Sequence, residues 1–375
     1  MWPESSEQQQ PLRTGLTTGT CATACCLAVG HLLLGNVRKT SVSVTLPNKK
    51  SKSKDASKHV DLQLIALAQR GSTTAYAETV KDAGDDPDAT HGATIWVSVS
   101  LVAQQDITFI AGAGVGTVTR SGLLLEIGQA AINPVPRQMM SEHLRHVAKL
   151  YQYTGGFEVT IGVANGAEIA KKTMNGRLGI VGGLSILGTS GIVRPYSCSA
   201  WIASIHQGLD VAVANDYDHI AASTGNTSEA FIGKYYALSD MQLIEMGDFA
   251  GAVLKHLKKS PVKRLSICGG FGKISKLADG HLDLHSGKSS INLPNLADIA
   301  YKLGADSHLV MSIKACNTSL EALGLCQQQG IDLANAVCQN ALTFAQKTVP
   351  NTVQLEIFAV NRQGQLLGSA VGCVA

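Results

Sequence analysis

Residues 178–268 contain four short apolar runs, LGIV (178–181), HIAAS (219–223), QLIEM (242–246) and RLSIC (264–268), with helical periodicity between them. Strands that alternate with helices in this way are typical of a parallel, right-handed, doubly wound sheet. The second half of the chain is therefore predicted to be an α/β Rossmann-like domain with a mostly parallel sheet.

The first half of the chain has a different pattern. Residues 41–46, 60–64 and 95–101 alternate apolar and polar side chains, as half-buried strands do. An apolar helix is expected between Thr20, as its cap, and Gly35. Successive strands with few helices predict an α+β N-terminal domain with a mixed sheet.

The change of pattern places the domain boundary near residue 175, which gives an α+β domain at 1–175 and a Rossmann-like domain at 176–375. A last hairpin is predicted from the alternation of Val353, Leu355 and Ile357. Whether this hairpin extends the second sheet stays open at the level of sequence.

Composition excludes several protein classes. The chain has 375 residues, 45% hydrophobic and 16% charged, with 38 Gly and 10 Pro, which excludes a disordered chain, a collagen-like fibre and a coiled coil. A net charge of +3 and only 5% aromatic residues give no basis for a nucleic-acid partner. The basic run at 49–54 is expected to be a solvated loop.

No membrane segment or disulfide framework is expected. The longest apolar stretch, 24–34, is about half the ~20 residues that a membrane span needs. The nine cysteines form no CxxC pair, which indicates reduced thiols and a cytoplasmic location. Cys21, Cys25 and Cys26 are interpreted as small buried residues of the first helix.

The Gly-rich segment 182–191 follows the first predicted strand of the α/β half. Ligands of such sheets bind beyond the carboxyl ends of strands, so the segment is predicted to be a nucleotide or adenosyl site. The alternative is a plain tight connection. The spacing is not GxGxxG, and no acidic residue ends the second predicted strand to bind a ribose hydroxyl.

Two further segments in the first half have alternative interpretations. Residues 81–91 hold four carboxylates, and three interpretations are open: they raise one another's pKa for proton transfer, they bind a hard cation, or they cap a local turn. Residues 112–120 and 133–137 place Gly-rich backbone and Arg together, which suits a carboxylate or phosphate, or a simple hairpin.

The segment 269–276 follows the fourth predicted strand, and His281 and His285 come after it. Histidines four apart share a helix face, as zinc ligands do, but Gly280 and Asp283 indicate a loop. A lone histidine acting as a base or hydrogen-bond donor is the preferred interpretation. No metal site is expected in the protein.

Together these motifs resemble the CbiD family of cobalt-precorrin-5B C(1)-methyltransferases. The resemblance runs from about residue 12 to the C-terminus and is carried by the segments 13–20, 81–92, 112–119, 133–137, 168–173, 177–195 and 272–280 with His285 and Ser286. The chain departs from the family pattern by an insertion at 48–58, which touches none of these motifs.

The resemblance implies a reaction of the anaerobic cobalamin pathway. A methyl group would pass from S-adenosylmethionine to ring carbon C-1 of cobalt-precorrin-5B and give cobalt-precorrin-6A. Cobalt would enter only as part of the substrate. Domain 1–175 would face the tetrapyrrole and domain 176–375 the methyl donor, and the sequence leaves a homo-oligomer open.

The implied site has three groups of residues. The donor would be bound by Gly182, Gly183, Ser185, Gly188, Thr189, Ser190, Gly191, Asn226 and Glu229. The carboxylate arms of the tetrapyrrole would be bound by Arg120, Asn133, Arg137, Lys171, Lys172, Arg177, Arg194, Lys273 and Lys276. The candidates for a catalytic base are Asp82, Asp86, His91 and His285, which the sequence does not rank.

Three alternatives remain at this point. The first is a nicotinamide-dependent oxidoreductase acting on a tetrapyrrole, which the missing GxGxxG motif disfavours. The second is a non-enzymatic corrinoid carrier, which leaves the segment 182–191 without a task. The third is a pair of globular domains whose glycines only shape turns.

Overall fold

The computed structural model describes residues 11–47 and 58–372, so the basic run at 49–54 lies outside the described residues. The chain divides into two compact units. Unit 1 contains residues up to 120 together with 124–197, and unit 2 contains 121–123 together with residues from 198 onward. The division falls at 197 and not at the expected 175, because the segment 178–193 forms strands with the first half of the chain.

Unit 1 is built from short strands around two long helices. In chain order its elements are β1 (Gly15–Leu16), α1 (Thr18–Gly35), β2 (Ser41–Thr45), β3 (His59–Gln63), β4 (Ala66–Gln69), β5 (Thr74–Val80), β6 (Thr94–Val102), β7 (Ile107–Ala111), β8 (Gly114–Val115), β9 (Thr117–Val118), α2 (Pro134–Leu150), β10 (Gly156–Val163), α3 (Gly166–Ala170), β11 (Ile180–Val181), β12 (Gly183–Leu184) and β13 (Ile192–Val193).

The main sheet of unit 1 is mixed, as predicted. Its strand order within the described chain is β4-β5-β6-β10-β7, antiparallel except for the parallel pair β10 and β7. Alternate residues such as Ala77, Val97 and Ile161 are buried and pack with α1 and α2 in one core. The period-two pattern of the sequence therefore decides which face of the sheet is covered.

Helix α1 is capped differently from the prediction. Thr17, not Thr20, is the N-cap and accepts a hydrogen bond from the amide of Thr20 at 3.3 Å, and Asn36 ends the helix in a left-handed conformation. By length and composition α1 could cross a membrane, but 83% of it is buried inside the protein, and core helices meet the same test. It therefore gives weak evidence for a membrane segment.

Unit 2 combines a central sheet with helices on both faces. Its elements are α4 (Cys198–Ala214), β14 (His219–Ser223), α5 (Asn226–Tyr236), a 3₁₀ turn (Asp240–Gln242), β15 (Leu243–Glu245), α6 (Ala250–His256), β16 (Arg264–Gly270), α7 (Phe271–Ala278), α8 (Leu293–Lys302), α9 (Ser307–Lys314), α10 (Ser319–Gln328), α11 (Leu333–Gln346), β17 (Gln354–Val360) and β18 (Leu366–Val371).

The sheet of unit 2 has the order β15-β14-β16-β17-β18 in the described residues. The pairs β14–β15, β14–β16 and β16–β17 are parallel, and β17–β18 is antiparallel. The last hairpin thus extends this sheet, which answers the question that the sequence left open. The run 178–181 is not one of its strands, since β11 pairs with β9 in unit 1.

Helices cover the two faces of this sheet unequally. Helix α5 packs on one face through Ile232, which lies against Leu243 and Phe358. Helices α4, α6, α7 and α11 pack on the other face in a much larger core that includes Leu209 and Phe271. The helices that follow β14 and β16 consequently lie on opposite faces, which opens a crevice between the ends of those two strands.

Candidate functional site

A pocket of about 590 Å³ lies at the carboxyl edge of the unit 2 sheet. Residues 224–228 after β14, 270–273 at the start of α7 and 360–362 after β17 form its walls, and 317–320 close it at the start of α10. It sits where α5 and α7 leave for opposite faces of the sheet, the position at which ligands bind in open α/β folds. Its volume suits a small organic ligand.

Two glycines leave open space in this pocket. A Cβ atom built on Gly225 or on Gly270 would meet no heavy atom within 4 Å. Each glycine is the N-cap of a helix, of α5 and α7 respectively, and neither cap makes a side-chain hydrogen bond. Backbone amides at the start of both helices are therefore available to an anionic or polar ligand.

Two lysines of α7 line the same pocket. Lys273 is paired with Asp248 and also donates to the carbonyl of Leu284 at 3.2 Å. Lys276 is 6% exposed, and its Nζ donates to the same carbonyl at 3.0 Å. Burial, with the neighbouring charge of Lys273, lowers the pKa of Lys276. Because Lys276 has no carboxylate partner in the described residues, its charge is available to an incoming anion.

The segment 182–191, predicted to bind a donor, lies in unit 1 and does not follow a strand of the unit 2 sheet. A Cβ on Gly183 would lie 2.3 Å from the backbone of Gly114, and one on Gly188 would lie 2.3 Å from the Thr17 hydroxyl. Gly191 is similarly close to Leu46, at 2.6 Å. These three glycines allow close packing inside the protein, so they form a tight connection and not a ligand site.

The remaining predicted donor ligands are divided between the units. In unit 1, Ser185 is buried with its hydroxyl 3.4 Å from Asn175 Oδ1, whereas Gly182, Thr189 and Ser190 are exposed. In unit 2, Asn226 opens α5 and lines the pocket, and Glu229 lies in the first turn of α5. Of the predicted donor set, Asn226 is the residue that the pocket contains.

The acidic segment 81–91 is held together by its own carboxylates. Asp82 forms a two-pronged pair with Arg13, with one N–O distance of 2.9 Å, and accepts the Gly84 amide at 2.9 Å. The Arg13 guanidinium is the main reason why the pKa of Asp82 is lowered to about 2. Asp82 is therefore ionised at neutral pH and is a weak proton acceptor.

A second ion pair in this segment is deeply placed. Lys81 is 1% exposed and donates to Asp88 at 2.7 Å. Burial opposes ionisation of Asp88, but bonds from Lys81 and Thr90 outweigh it, and the pKa of Asp88 is lowered. The turn-capping interpretation thus accounts for Asp82 and Asp88 in structural terms.

Each of the other candidate bases accepts a hydrogen bond from a backbone amide. Asp86 accepts the backbone amide of Tyr196 at 2.9 Å. His91 is exposed, and its Nδ1 accepts the Ala83 amide at 3.2 Å, which leaves Nε2 as the protonated nitrogen of the neutral ring. His285 belongs to unit 2, lies exposed in a loop and accepts the Gly287 amide at 3.1 Å.

Among the predicted substrate cations, Arg137 is committed to the protein. Its guanidinium donates to the carbonyls of Ile132 at 2.7 Å and Ala130 at 3.0 Å, and burial lowers its pKa. Asn133 is the N-cap of α2 without a side-chain cap bond, and Lys171 pairs with Glu168 at 2.8 Å. The exposed predicted cations of unit 1 are Arg120, Lys171, Lys172 and Arg194.

Several pocket residues were missed by sequence reasoning, namely Thr224, Gly225, Asn317, Thr318, Asn361 and Arg362. A signal existed for the first two, because they directly follow the run 219–223. The sequence pattern makes 219–223 the second strand of the sheet, with 178–181 as the first, so the Gly-rich donor segment was expected after 178–181. The residues near 317 and 361 come from later elements, and no local pattern marks them.

In the described residues, no group of three or more His, Cys, Asp and Glu side chains is close enough to hold a metal ion. His281 and His285 are loop residues beyond α7 and do not share a helix face. His281 and His285 therefore lack the shared helix face on which the zinc interpretation depended.

Comparison with known proteins gives consistent matches. The family model described as CbiD matches residues 5–195, and the model described as the CbiD C-terminal domain matches 283–371. A crystal structure of a cobalamin biosynthesis protein (CbiD) from Archaeoglobus fulgidus is 27% identical, covering 70% of this chain and 78% of that chain, with a TM-score of 0.37.

Relatives named cobalt-precorrin-5B C(1)-methyltransferase match nearly the whole chain. The protein from Pseudomonas putida (strain W619) is 58% identical, with 99% of both chains covered. The protein from Marinomonas sp. (strain MWYL1) is 56% identical, covering 99% of this chain and 97% of its own length. These identities extend over both units, and the chain belongs to the CbiD family.

Proposed function

We propose that this protein is a methyltransferase that transfers a methyl group to ring carbon C-1 of cobalt-precorrin-5B in cobalamin biosynthesis, giving cobalt-precorrin-6A. The observation that carries the proposal is identity of 56–58% over 99% of the chain to proteins named for this reaction. Cobalt belongs to the substrate, and the protein acts in the cytoplasm.

We further propose S-adenosylmethionine as the methyl donor and the unit 2 pocket as its site. The pocket fits this molecule in three respects: its volume is about 590 Å³, Gly225 and Gly270 leave room for close backbone approach, and Lys276 is available to a carboxylate. The parallel strands and the crevice between β14 and β16 support the interpretation of unit 2 as a Rossmann-like donor domain.

The bound donor supplies an electrophilic methyl group, so the protein's task is to position two reactants and to exclude water. Asn226 and the α5 amides bind polar groups of the donor. The α7 amides and Lys276 bind a carboxylate, whose charge suits a helix N-terminus. Lys273 is neutralised by Asp248 and acts in positioning.

The acidic tetrapyrrole needs cations elsewhere on the protein. We propose Arg120, Lys172 and Arg194 for its carboxylate arms, since these side chains are exposed in unit 1. Arg137, Lys171 and Asn133 would contribute less, because Arg137 and Lys171 are engaged within the protein and Asn133 begins α2. For proton removal we propose His91, Asp86 and His285 ahead of Asp82, which is held ionised by Arg13.

The proposal is tested by incubating the protein with cobalt-precorrin-5B and S-adenosylmethionine carrying a ¹³C methyl group. We expect one labelled methyl group on C-1, found by mass spectrometry and NMR. Labelling of another carbon would contradict the reaction. No transfer by folded protein, with the corrinoid still bound, would support a carrier instead.

A further inference from the structure

Glu245 and Trp201, at the carboxyl end of β15, were not part of the predicted site. The sequence had indicated that no acidic residue ends the second strand. In the structure β14 is the first strand of the unit 2 sheet and β15 the second, and β15 ends at Glu245. Glu245 follows Gly225 by 20 residues (245 minus 225). An acidic residue at about this spacing binds a ribose hydroxyl in dinucleotide-binding sheets.

The strand register places Glu245 beside the end of β14. Ser223 and Glu245 are paired Cα partners on parallel strands, so their side chains lie on one face of the sheet. Neighbouring strands are about 4.8 Å apart, which puts Glu245 one strand spacing from Ser223, the residue before Thr224 of the pocket wall. No described residue forms a hydrogen bond or ion pair with the Glu245 carboxylate.

The neighbouring Ser223 is an unusual residue. It is completely buried, and its hydroxyl has no hydrogen-bond partner among the described residues. A buried hydroxyl without a partner is unfavourable, so a hydrogen-bonding group at this end of β14 is left unsatisfied by the protein. Ser223 is followed by Thr224 and Gly225, which line the pocket.

An exposed aromatic ring adjoins the same strand end. The Trp201 indole donates to the backbone carbonyl of Glu245 at 3.2 Å and packs against Gly247, where a Cβ would be 3.7 Å from the ring. The side chain is nonetheless 43% exposed. A tryptophan fixed in orientation but open to solvent offers a stacking surface for a planar base.

We propose that Glu245 accepts hydrogen bonds from the ribose hydroxyls of the methyl donor and that Trp201 stacks on its adenine. The inference rests on the proposed donor site in unit 2 and names the groups that recognise the nucleoside. A carboxylate accepts strong charge-assisted bonds from hydroxyl donors, which makes Glu245 the determinant of selectivity for a ribose.

The test is calorimetric titration of the full-length protein with S-adenosylhomocysteine and with its 2′-deoxy analogue. Glu245→Gln is expected to weaken S-adenosylhomocysteine binding about tenfold or more and to remove the preference over the 2′-deoxy compound. The matched control is Asp218→Asn, directly before the amino end of the neighbouring strand β14, where the side chain pairs with Lys263. This control should retain the wild-type affinity.

Two tryptophan variants separate stacking from folding. Trp201→Leu should weaken binding about tenfold, whereas Trp201→Phe keeps an aromatic ring and should stay within about threefold of wild type. Equal affinity of wild type and Glu245→Gln for S-adenosylhomocysteine would overturn the inference and leave the donor site in place. Absence of S-adenosylhomocysteine binding by wild type, or binding of NAD in its place, would overturn both.

Discussion

The Gly-rich segments of the two units look alike in sequence but differ in what their glycines face. In unit 1, Gly183 and Gly114 approach each other so closely that a single Cβ would overlap the backbone. In unit 2, Gly225 and Gly270 face open space within a pocket. A glycine therefore indicates close approach, and the structure decides whether the approaching group is the protein or a ligand.

The largest expected effect is on stability in unit 1. Gly183→Ala puts a Cβ 2.3 Å from the Gly114 backbone, which cannot give way as a flexible side chain could. We expect a loss of about 3 kcal/mol or more in the free energy of unfolding, measured by urea denaturation. The matched control is Gly176→Ala, where a Cβ meets nothing within 4 Å, and it should stay within about 0.5 kcal/mol.

The same type of substitution in unit 2 should reduce ligand affinity more than it reduces stability. Gly270→Ala adds a methyl group in open space within the pocket, so we expect S-adenosylhomocysteine affinity to fall about tenfold, with less than about 1 kcal/mol lost in stability. The control Gly324→Ala lies inside α10 and away from the pocket lining. If both variants bind equally well, the open space at Gly270 is not a ligand site.

Lys276 gives a pH-dependent test of the same pocket. Burial lowers the pKa of Lys276 below the ordinary 10.5. The side chain should therefore lose its charge, and the pocket its affinity for a carboxylate ligand, at a lower pH than an ordinary lysine would. Over the same interval the unfolded chain binds more protons, so the free energy of unfolding should rise with pH. Lys276→Gln should remove both trends, seen in parallel titrations with S-adenosylhomocysteine and with urea between pH 7 and about 10.5. A pH dependence that survives in the variant would assign it to another group.

The smallest expected effect concerns the acidic segment of unit 1. Asp82→Asn breaks an exposed pair with Arg13, so Tm at neutral pH should fall by no more than about 2 °C. Because the pKa of Asp82 is lowered to about 2, its contribution is complete above the ordinary 3.8 and is lost as pH falls toward 2. The Tm values of wild type and variant should therefore converge at acid pH. Loss of methyl transfer without loss of Tm would instead favour Asp82 as a catalytic residue.

Local patterns predicted much of the fold. The alternation at 41–46, 60–64 and 95–101 corresponds to β2, β3 and β6, and the runs at 219–223, 242–246 and 264–268 correspond to β14, β15 and β16. Each of these signals depends on residues close in the chain, for which periodicity is informative. The assignment of strands to sheets depends on distant pairing, and for that reason 178–181 was placed in the wrong sheet.

The candidate site, like the fold, was predictable where it depends on local sequence and not where it depends on tertiary structure. Asn226 was predicted to bind the donor, and Lys273 and Lys276 to bind the tetrapyrrole. All three line the one pocket, because they follow the strands β14 and β16. Glu245 was seen as a strand residue, but its significance depended on counting β15 as the second strand. Trp201 and Asn361 come near the same sheet edge only through tertiary structure, which local patterns do not encode.

In the arrangement we propose, unit 2, and not the segment 182–191, holds the methyl donor. Amide hydrogen exchange with and without S-adenosylhomocysteine tests it on the unmodified protein. We predict slower exchange at 224–228 and 270–276, with exchange at 182–191 unchanged. Protection of 182–191 without protection at 224–228 would contradict this arrangement and place the donor in unit 1.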